Sequence, residues 1–366
     1  AKGIINMREL DASASGKLVG PKAANLGQLK KMFPDQVVEG LVIPFGIFKD
    51  HMDQKMTGYE GSYWEFLNAA FAKAKEMQSQ GASSQEIETY QLNELKRLRE
   101  AIKMMQLKPS FVQSLQNNFR EVFKSPLGRT PVFLRSDTNM EDLEEFTGAG
   151  LNLTLFNILD EDKILNGIKD VWASPYTERS FKWRQQYLSN PENVFPSILI
   201  IPSVDVDYSG VLITKGINMG TDEDLTVAFS RGAGGAVDGQ AAETRLITKN
   251  ANRLLSPARQ VDYIRLPASG GVASKIATFD EQILSEQNIE DIRSIAQAIR
   301  TRLPKMTGTT YDGAYDVELG FENDKLWLFQ IRPFVENTTA KTSEYLEAIA
   351  PEINTEFLIT LDAPLK

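Results

Sequence analysis

Tyr315-Asp316-Val317-Glu318-Leu319, then after a turn Leu326-Trp327-Leu328-Phe329-Gln330-Ile331-Arg332, is the stretch whose pattern decides the fold. Both halves alternate apolar and polar residues with a period of two, as half-buried strands do. Tyr315, Val317, Leu319, Phe321, Trp327, Phe329 and Ile331 fall on one predicted face, and Asp316, Glu318, Gln330 and Arg332 on the other. A three-residue loop, Asn323-Asp324-Lys325, makes Glu322 face Leu326, which sets Glu318 opposite Gln330 and Asp316 opposite Arg332. A slip of one residue would place Glu318 against Phe329 and mix the faces. Directly opposed side chains lie about 5 Å apart at Cβ, so carboxylates, an amide oxygen and a guanidinium gather on one small patch. Mg²⁺ takes such oxygens together with substrate phosphates, and a guanidinium grips phosphate in a planar fork. A solvated hairpin face carrying a cross-strand Asp–Arg pair fits the same spacing.

With 366 residues the chain predicts two domains or one large one, with ample core. A hydrophobic content of 42% and a charged content of 24% describe an ordinary soluble globular protein. The net charge of −9 argues against nucleic acid or a membrane surface as partner, while allowing a local basic pocket. No apolar run approaches the roughly 20 residues of a membrane span, and no signal peptide is visible, so a cytoplasmic location is expected. The absence of cysteine excludes disulfides, thiol catalysis and Cys-type zinc sites. The single histidine, His51, excludes zinc sites built on several histidines. A Ser-His-Asp triad could use only that residue. Phe48-Lys49-Asp50-His51-Met52 reads as a helix start, with a surface or capping role expected for His51. Lys, Arg, Asp, Glu and backbone amides remain, which is the palette of phosphoryl transfer.

Along the chain, residues 1–50 predict short strands and one helix from Lys22 to Phe33. Residues 62–123 predict helices: Glu86 to Leu107 is stopped by Pro109, and Ser110 caps the next. Val132-Phe133-Leu134 reads as a buried strand ending at Arg135, and Thr138 with Glu141 as a capping box. A strand over 151–158 and two helices over 161–188 follow. After Asn190-Pro191 the texture becomes β, with strands at 197–201, 210–214, 225–229 and 244–248. A polar region covers 249–260, a helix 285–303, and a short helix and tail 341–366. This predicts an α/β first domain over 1–190, a mostly antiparallel sheet flanked by helices over 191–340, and a tail over 341–366.

Three further groups suit an anionic ligand. Lys22, opening a helix after Gly20-Pro21, opposes the helix dipole unless an anion docks on the free N–H groups; otherwise it is a solvated lysine. Arg135-Ser136-Asp137 stands at a strand end, where α/β folds place ligands, although Arg135 could instead pair with Glu141, Asp142, Glu144 and Glu145. Gly232-Ala233-Gly234-Gly235, with Gly239, permits close approach of backbone to phosphate, or forms a plain flexible loop. It is neither a Walker loop nor a dinucleotide fingerprint.

In order along the chain, four segments resemble one family. Gly20-Pro21-Lys22-Ala23-Ala24-Asn25-Leu26-Gly27 resembles the opening motif of the nucleotide-binding domain of phosphoenolpyruvate synthase and pyruvate phosphate dikinase. Val132 to Leu143 resembles its arginine-serine motif, Ser209 to Thr214 its central strand, and Asp316-Val317-Glu318 through Gln330-Ile331-Arg332-Pro333 its closing motif. The resemblance implies an ATP-grasp fold holding nucleotide between two subdomains. It implies ATP and Mg²⁺ as ligands. Lys22 and Arg135 would contact phosphates, Glu318 and Gln330 would hold the metal, and Arg332 would bind the terminal phosphate. Asp316 would lie close by, and Thr154 would stand near the phosphates. Ile200 and Ile201 would line the adenine pocket, and Gly232 and Gly234 would belong to the glycine-rich loop.

The chain departs from the family pattern in places. Gly235 stands where the family usually has glutamate, and Pro21 replaces a glycine, which a helix start tolerates. Ile198-Leu199-Ile200-Ile201-Pro202 lacks the Gln or basic residue frequent in that strand. The family's phosphohistidine domain and pyruvate-binding barrel are not part of this chain. The resemblance therefore implies a domain that passes phosphate from ATP to a histidine on another domain, in cis or in trans. A non-catalytic nucleotide-binding module and an ATP-dependent ligase are the alternatives.

Overall fold

A computed structural model describes residues 3–141, 151–217, 220–235, 242–278 and 282–336. Gly239, the acidic residues Asp142, Glu144 and Glu145, and the helix expected within 341–366 lie outside the described residues.

The elements run β1 (Ile5–Asn6), α1 (Pro21–Met32), β2 (Leu41–Ile43), α2 (Phe45–Met52), α3 (Tyr63–Ser79), α4 (Ser84–Lys103), α5 (Pro109–Val122), β3 (Val132–Thr138) and β4 (Thr154–Ile158). Then follow α6 (Glu161–Ala173), α7 (Glu178–Tyr187), β5 (Pro196–Pro202), β6 (Tyr208–Ile213), β7 (Leu225–Arg231), β8 (Glu243–Ile247) and β9 (Asn252–Ser256). The last are β10 (Asp262–Arg265), β11 (Ala273–Ile276), α8 (Glu286–Thr307), β12 (Tyr315–Glu322) and β13 (Lys325–Pro333). One sheet has the order β1-β2-β5-β3-β4 and the other β13-β12-β6-β7-β8-β9, with β10 and β11 paired apart from both. The class is mixed α/β, and the strand pairings in both large sheets are antiparallel.

Strand β5 belongs to the first sheet, so the chain passes from one sheet to the other between Pro202 and Tyr208. The region expected to be only polar, 249–260, contains β9, and the β10–β11 hairpin follows it. Helix α5 begins at Pro109, whose fixed φ suits the first helical position, with Lys108 rather than Ser110 as its cap. Helix α8 runs past the expected stop, through Pro304 to a left-handed Gly308.

Two cores follow from strand alternation. Leu41, Ile43, Val132, Leu134, Ile198 and Ile200 pack under α2 to α6 on one face of the first sheet. Leu199 and Ile201, on the other face of β5, join α1, α8 and the inner face of the second sheet. His51 ends α2 instead of starting a helix, and it is buried rather than on the surface. Its Nε2 accepts the N–H of Lys108 at 3.1 Å, so Nδ1 carries the proton and donates to the Ile47 carbonyl at 2.9 Å. The ring packs on Phe111 and Trp172.

Desolvation holds His51 below the ordinary histidine pKa, and Lys108 adds to this against the opposing pull of the Ile47 carbonyl and Asp50. As the only imidazole in the chain it gives one set of proton resonances. Those resonances are expected to titrate below about pH 6.5, the unfolded-state value. The sign follows: the stabilisation from neutral His51 is present above that value and is lost as pH falls through the lowered folded pKa. Titration at or above pH 6.5 would show that Nε2 is not held as an acceptor.

Candidate nucleotide-binding cleft

The hairpin β12–β13 keeps the expected pairs Glu318–Gln330 and Asp316–Arg332, but reaches them differently. Its loop has two residues, Asn323 and Asp324, both with positive φ (49° and 64°), and Glu322 faces Lys325. That is the turn whose twist matches paired strands, and Asn and Asp tolerate its left-handed geometry. A bulge between Glu318 and Leu319 leaves Phe329 as the extra residue on β13 and restores the register. The faces therefore swap at the bulge. Leu326 and Leu328 fill the core, while Phe329, expected there, turns to the cleft beside Glu318.

That cleft, of about 200 Å³, lies between the two sheets. Alternate residues of the first sheet line it: Phe133 and Arg135 from β3, Thr154 and Phe156 from β4, and Ile201 from β5. Ser209 and Gly210, Ala233 and Gly234, and Glu318, Leu319 and Phe329 line the opposite side, and Pro202, Val204 and Val206 close one end. Arg135 and Thr154 are directly paired neighbours on β3 and β4. Ile200, by the same alternation, points into the other core, so of the two expected isoleucines only Ile201 reaches the cleft.

The centre of the arrangement is Arg135, whose side chain is 11% exposed. Its Nη2 donates to Gln330 Oε1 at 2.6 Å and to Glu318 Oε2 at 3.3 Å, and its Nη1 to the Phe329 carbonyl at 3.1 Å. Two hard oxygens thus converge on one cationic nitrogen. Among the described residues no three acidic or histidine side chains cluster as a metal site. One carboxylate and one amide oxygen, completed by phosphate and water oxygens, is the kind of set Mg²⁺ accepts.

Lys22 and Arg332 do not line the cleft. The buried ammonium of Lys22 lies 2.7 Å from Glu141 Oε2 and donates to the Ser136 carbonyl at 2.8 Å. Asn152, oriented to suit, accepts from Lys22 at 3.3 Å and donates to Glu141 at 2.8 Å. Arg332 is half exposed and bound to Asp316 through Nη2 at 2.8 Å and Nε at 2.9 Å. Burial raises the Asp316 carboxyl pKa, with Glu318 adding to this and Arg332 opposing it. The side chain of Asn25 on α1 donates to the Ile331 carbonyl at 3.3 Å, which joins that helix to the hairpin.

The anion expected at the start of α1 is supplied by the protein itself. Asp137 Oδ1 and Oδ2 accept from the N–H groups of Lys22 and Ala23, each at 2.9 Å. Gly20 caps the helix without a side chain because a Cβ there would lie 2.3 Å from Asp137 Oδ1. Complete burial and the neighbouring Glu141 raise the Asp137 carboxyl pKa, against the pull of Lys22 and the two N–H groups. The sequence pattern marks Asp137 only as part of a strand-end triplet. An unoccupied helix start two residues after a glycine was the available signal for a distant cap.

In the glycine-rich loop, Gly234 (φ 80°) borders the cleft and gives its N–H to Ser209 Oγ at 3.2 Å. Gly232 (φ 70°) serves packing instead of the cleft, since a Cβ there would meet the Ile264 carbonyl at 2.2 Å. Ala233 N–H donates to that carbonyl at 3.1 Å, tying the loop to β10. At its other end the β10–β11 hairpin is clipped to β4: Asn157 Nδ2 donates to the Pro267 and Gly271 carbonyls, both at 2.8 Å.

Two antiparallel sheets enclosing a cleft, with a guanidinium, a threonine, a carboxylate and a glycine loop around it, define a mixed α/β protein with a cleft between its sheets. Residues 16–352 match the family described as pyruvate phosphate dikinase, AMP/ATP-binding domain, and the chain belongs to that family. It is 24% identical over 271 residues to a probable phosphoenolpyruvate synthase of Pyrococcus abyssi, covering 69% of this chain and 32% of that protein. It is 23% identical over 354 residues to one of Archaeoglobus fulgidus, covering 93% and 43%. Rifampicin phosphotransferase of Bacillus cereus is 26% identical over 325 residues, covering 86% and 34%. The chain thus spans 32% to 43% of the length of these curated relatives. The solved structure of Cdc123 from Schizosaccharomyces pombe aligns with 88% of the chain and 89% of that protein at 12% identity, with a TM-score of 0.31. No described helix is long and apolar enough to cross a membrane.

Gly20→Ala is expected to cost about 1–3 kcal/mol, because the added methyl must displace the Asp137 carboxylate from the helix start. Urea unfolding measures this, and an unchanged midpoint would show that Asp137 does not occupy that position.

Proposed function

We propose that this chain binds Mg-ATP between its two sheets as an ATP-grasp domain and transfers phosphate to a histidine carried by another domain or another protein. The observation that carries the reading is the convergence of Glu318 Oε2 and Gln330 Oε1 on Arg135 Nη2. Thr154 and Ile201 stand in the same cleft. Membership of an AMP/ATP-binding family supports the nucleotide, and relatives named phosphoenolpyruvate synthase and rifampicin phosphotransferase support phosphoryl transfer.

Under this reading the first sheet, with β5 as far as Pro202, and the second sheet, from Tyr208, supply the two subdomains, so the division falls after the expected position at 190. The purine would lie toward Phe133, Ile201 and Val204, and the phosphates toward Arg135 and Thr154. Glu318 and Gln330 would hold Mg²⁺. Bound there, the metal would offset charge on the phosphate oxygens. Arg135 would contribute positive charge from a largely desolvated position, where it acts more strongly than in water. Lys22 would reach a phosphate by exchanging Glu141 for it, and Arg332 by leaving Asp316. The buried His51, with both ring nitrogens engaged, is not offered as the acceptor. A second reading, a nucleotide-binding module without transfer, is favoured by the Lys22–Glu141 pair and by Gly235 in place of the usual glutamate.

Calorimetric titration with ATP, with and without Mg²⁺, tests the proposal: magnesium-dependent binding is expected, and no binding in either condition would overturn it. Glu318→Ala is expected to abolish the magnesium dependence, and retained dependence would remove the metal assignment. Lys22→Ala is expected to weaken ATP more than adenosine, although stranding Glu141 in a buried site also costs about 3–5 kcal/mol of stability. Equal loss for both ligands would remove its phosphate role.

A further inference from the structure

Each cation that the site could offer to a phosphate is held by a carboxylate: Lys22 by Glu141, Arg332 by Asp316 and Arg135 by Glu318. The third pair differs from the other two. Glu318 is also the carboxylate that, with Gln330, would hold the metal. The atoms that restrain Arg135 and the atoms that would bind Mg²⁺ are therefore the same two oxygens.

Resting on the reading of the cleft as a Mg-nucleotide site, we infer that Glu318 is a built-in competitor of phosphate, one that the metal removes. Without a divalent cation, a phosphate must win Arg135 from a carboxylate fixed on the neighbouring strand. With a cation bound to Glu318 and Gln330, positive charge stands a few ångströms from the guanidinium. Like charges at that distance in a partly buried site repel strongly. The guanidinium is then turned toward the anion in the cleft, and the Phe329 carbonyl remains as its anchor. Metal and phosphate thus assist each other beyond any direct contact between them. By linkage the factor is the same in both directions.

The inference makes a prediction of unusual sign: removing the charge of a metal ligand should strengthen metal-free binding. Glu318→Gln keeps the shape of the side chain and leaves Arg135 its bonds to Gln330 and Phe329. Titrated with ATP in EDTA, this variant is expected to bind about fivefold tighter than wild type, the worth of releasing one partly exposed pair. Its gain from added Mg²⁺ should disappear. Gln330→Ala removes a metal ligand that carries no charge, so it should lose magnesium enhancement with little change in EDTA. Thermal unfolding establishes that each variant is folded. If Glu318→Gln lowers the midpoint, Glu318→Asp poses the same question with the carboxylate withdrawn by one methylene.

Unchanged or weaker metal-free binding by Glu318→Gln, beside magnesium-dependent binding by wild type, would overturn the inference and leave the cleft assignment standing. Equal tightening by both variants would also overturn it, since the charge of Glu318 would not then be the competitor. Wild type that binds no ATP in either condition would overturn the cleft assignment, and this inference with it.

Discussion

A nearly buried guanidinium needs partners, and Arg135 finds all of its own on the opposite sheet. That requirement sets the two sheets in register across the cleft. Strand β3 is organised around it. Val132 and Leu134 face the helical core, while Phe133 and Arg135 face the cleft. Ser136 holds the β4 approach through a bond from Leu153 N–H at 2.8 Å, and Asp137 caps α1. Seven residues thus join a wall, a bridge and a helix anchor, and a shift of β3 would disturb all of them.

The same strand explains why the charges near the cleft are arranged in pairs. Lys22 enters beside Ser136 because Asp137 fixes the start of its helix, and there the ammonium meets Glu141. Arg332 and Asp316 face each other because the hairpin register aligns them. Buried or half-buried ions left single would be costly, so each cation is compensated locally. Such compensation is compatible with an anion-binding family, provided that a ligand can offer equal compensation in exchange.

Much of this was legible in the sequence, and the gaps have physical causes. Period-two alternation located the last hairpin and its polar pairs. It misassigned Phe329, because a bulge turns that residue to the cleft without changing composition. The two-residue turn was signalled by Asn323-Asp324, whose side chains tolerate positive φ. The strand at β5 was found, but the side its residues face depends on neighbours in space, so Ile200 and Ile201 were grouped together. Strands β9 to β11 lay in polar, glycine-bearing sequence with little alternation to read. Asp137 escaped because its role depends on a helix more than a hundred positions away. Exposure was misjudged for His51, since a histidine accepting a backbone N–H inside an aromatic cluster leaves no local pattern.

The bulge at Phe329 also gives the last hairpin two reading frames. From the turn to Leu319 the strands are read in one frame, which serves the apolar core. From Glu318 to Tyr315 they are read in another, which pairs Glu318 with Gln330 and Asp316 with Arg332 while Val317 and Ile331 stay in the core. Deleting Phe329 would merge the two frames into a regular ladder with Glu318 still opposite Gln330, whereas one residue gained or lost at the tip would slip every pair beyond it. Length variation in this hairpin is therefore cheap at its joint and expensive at its tip.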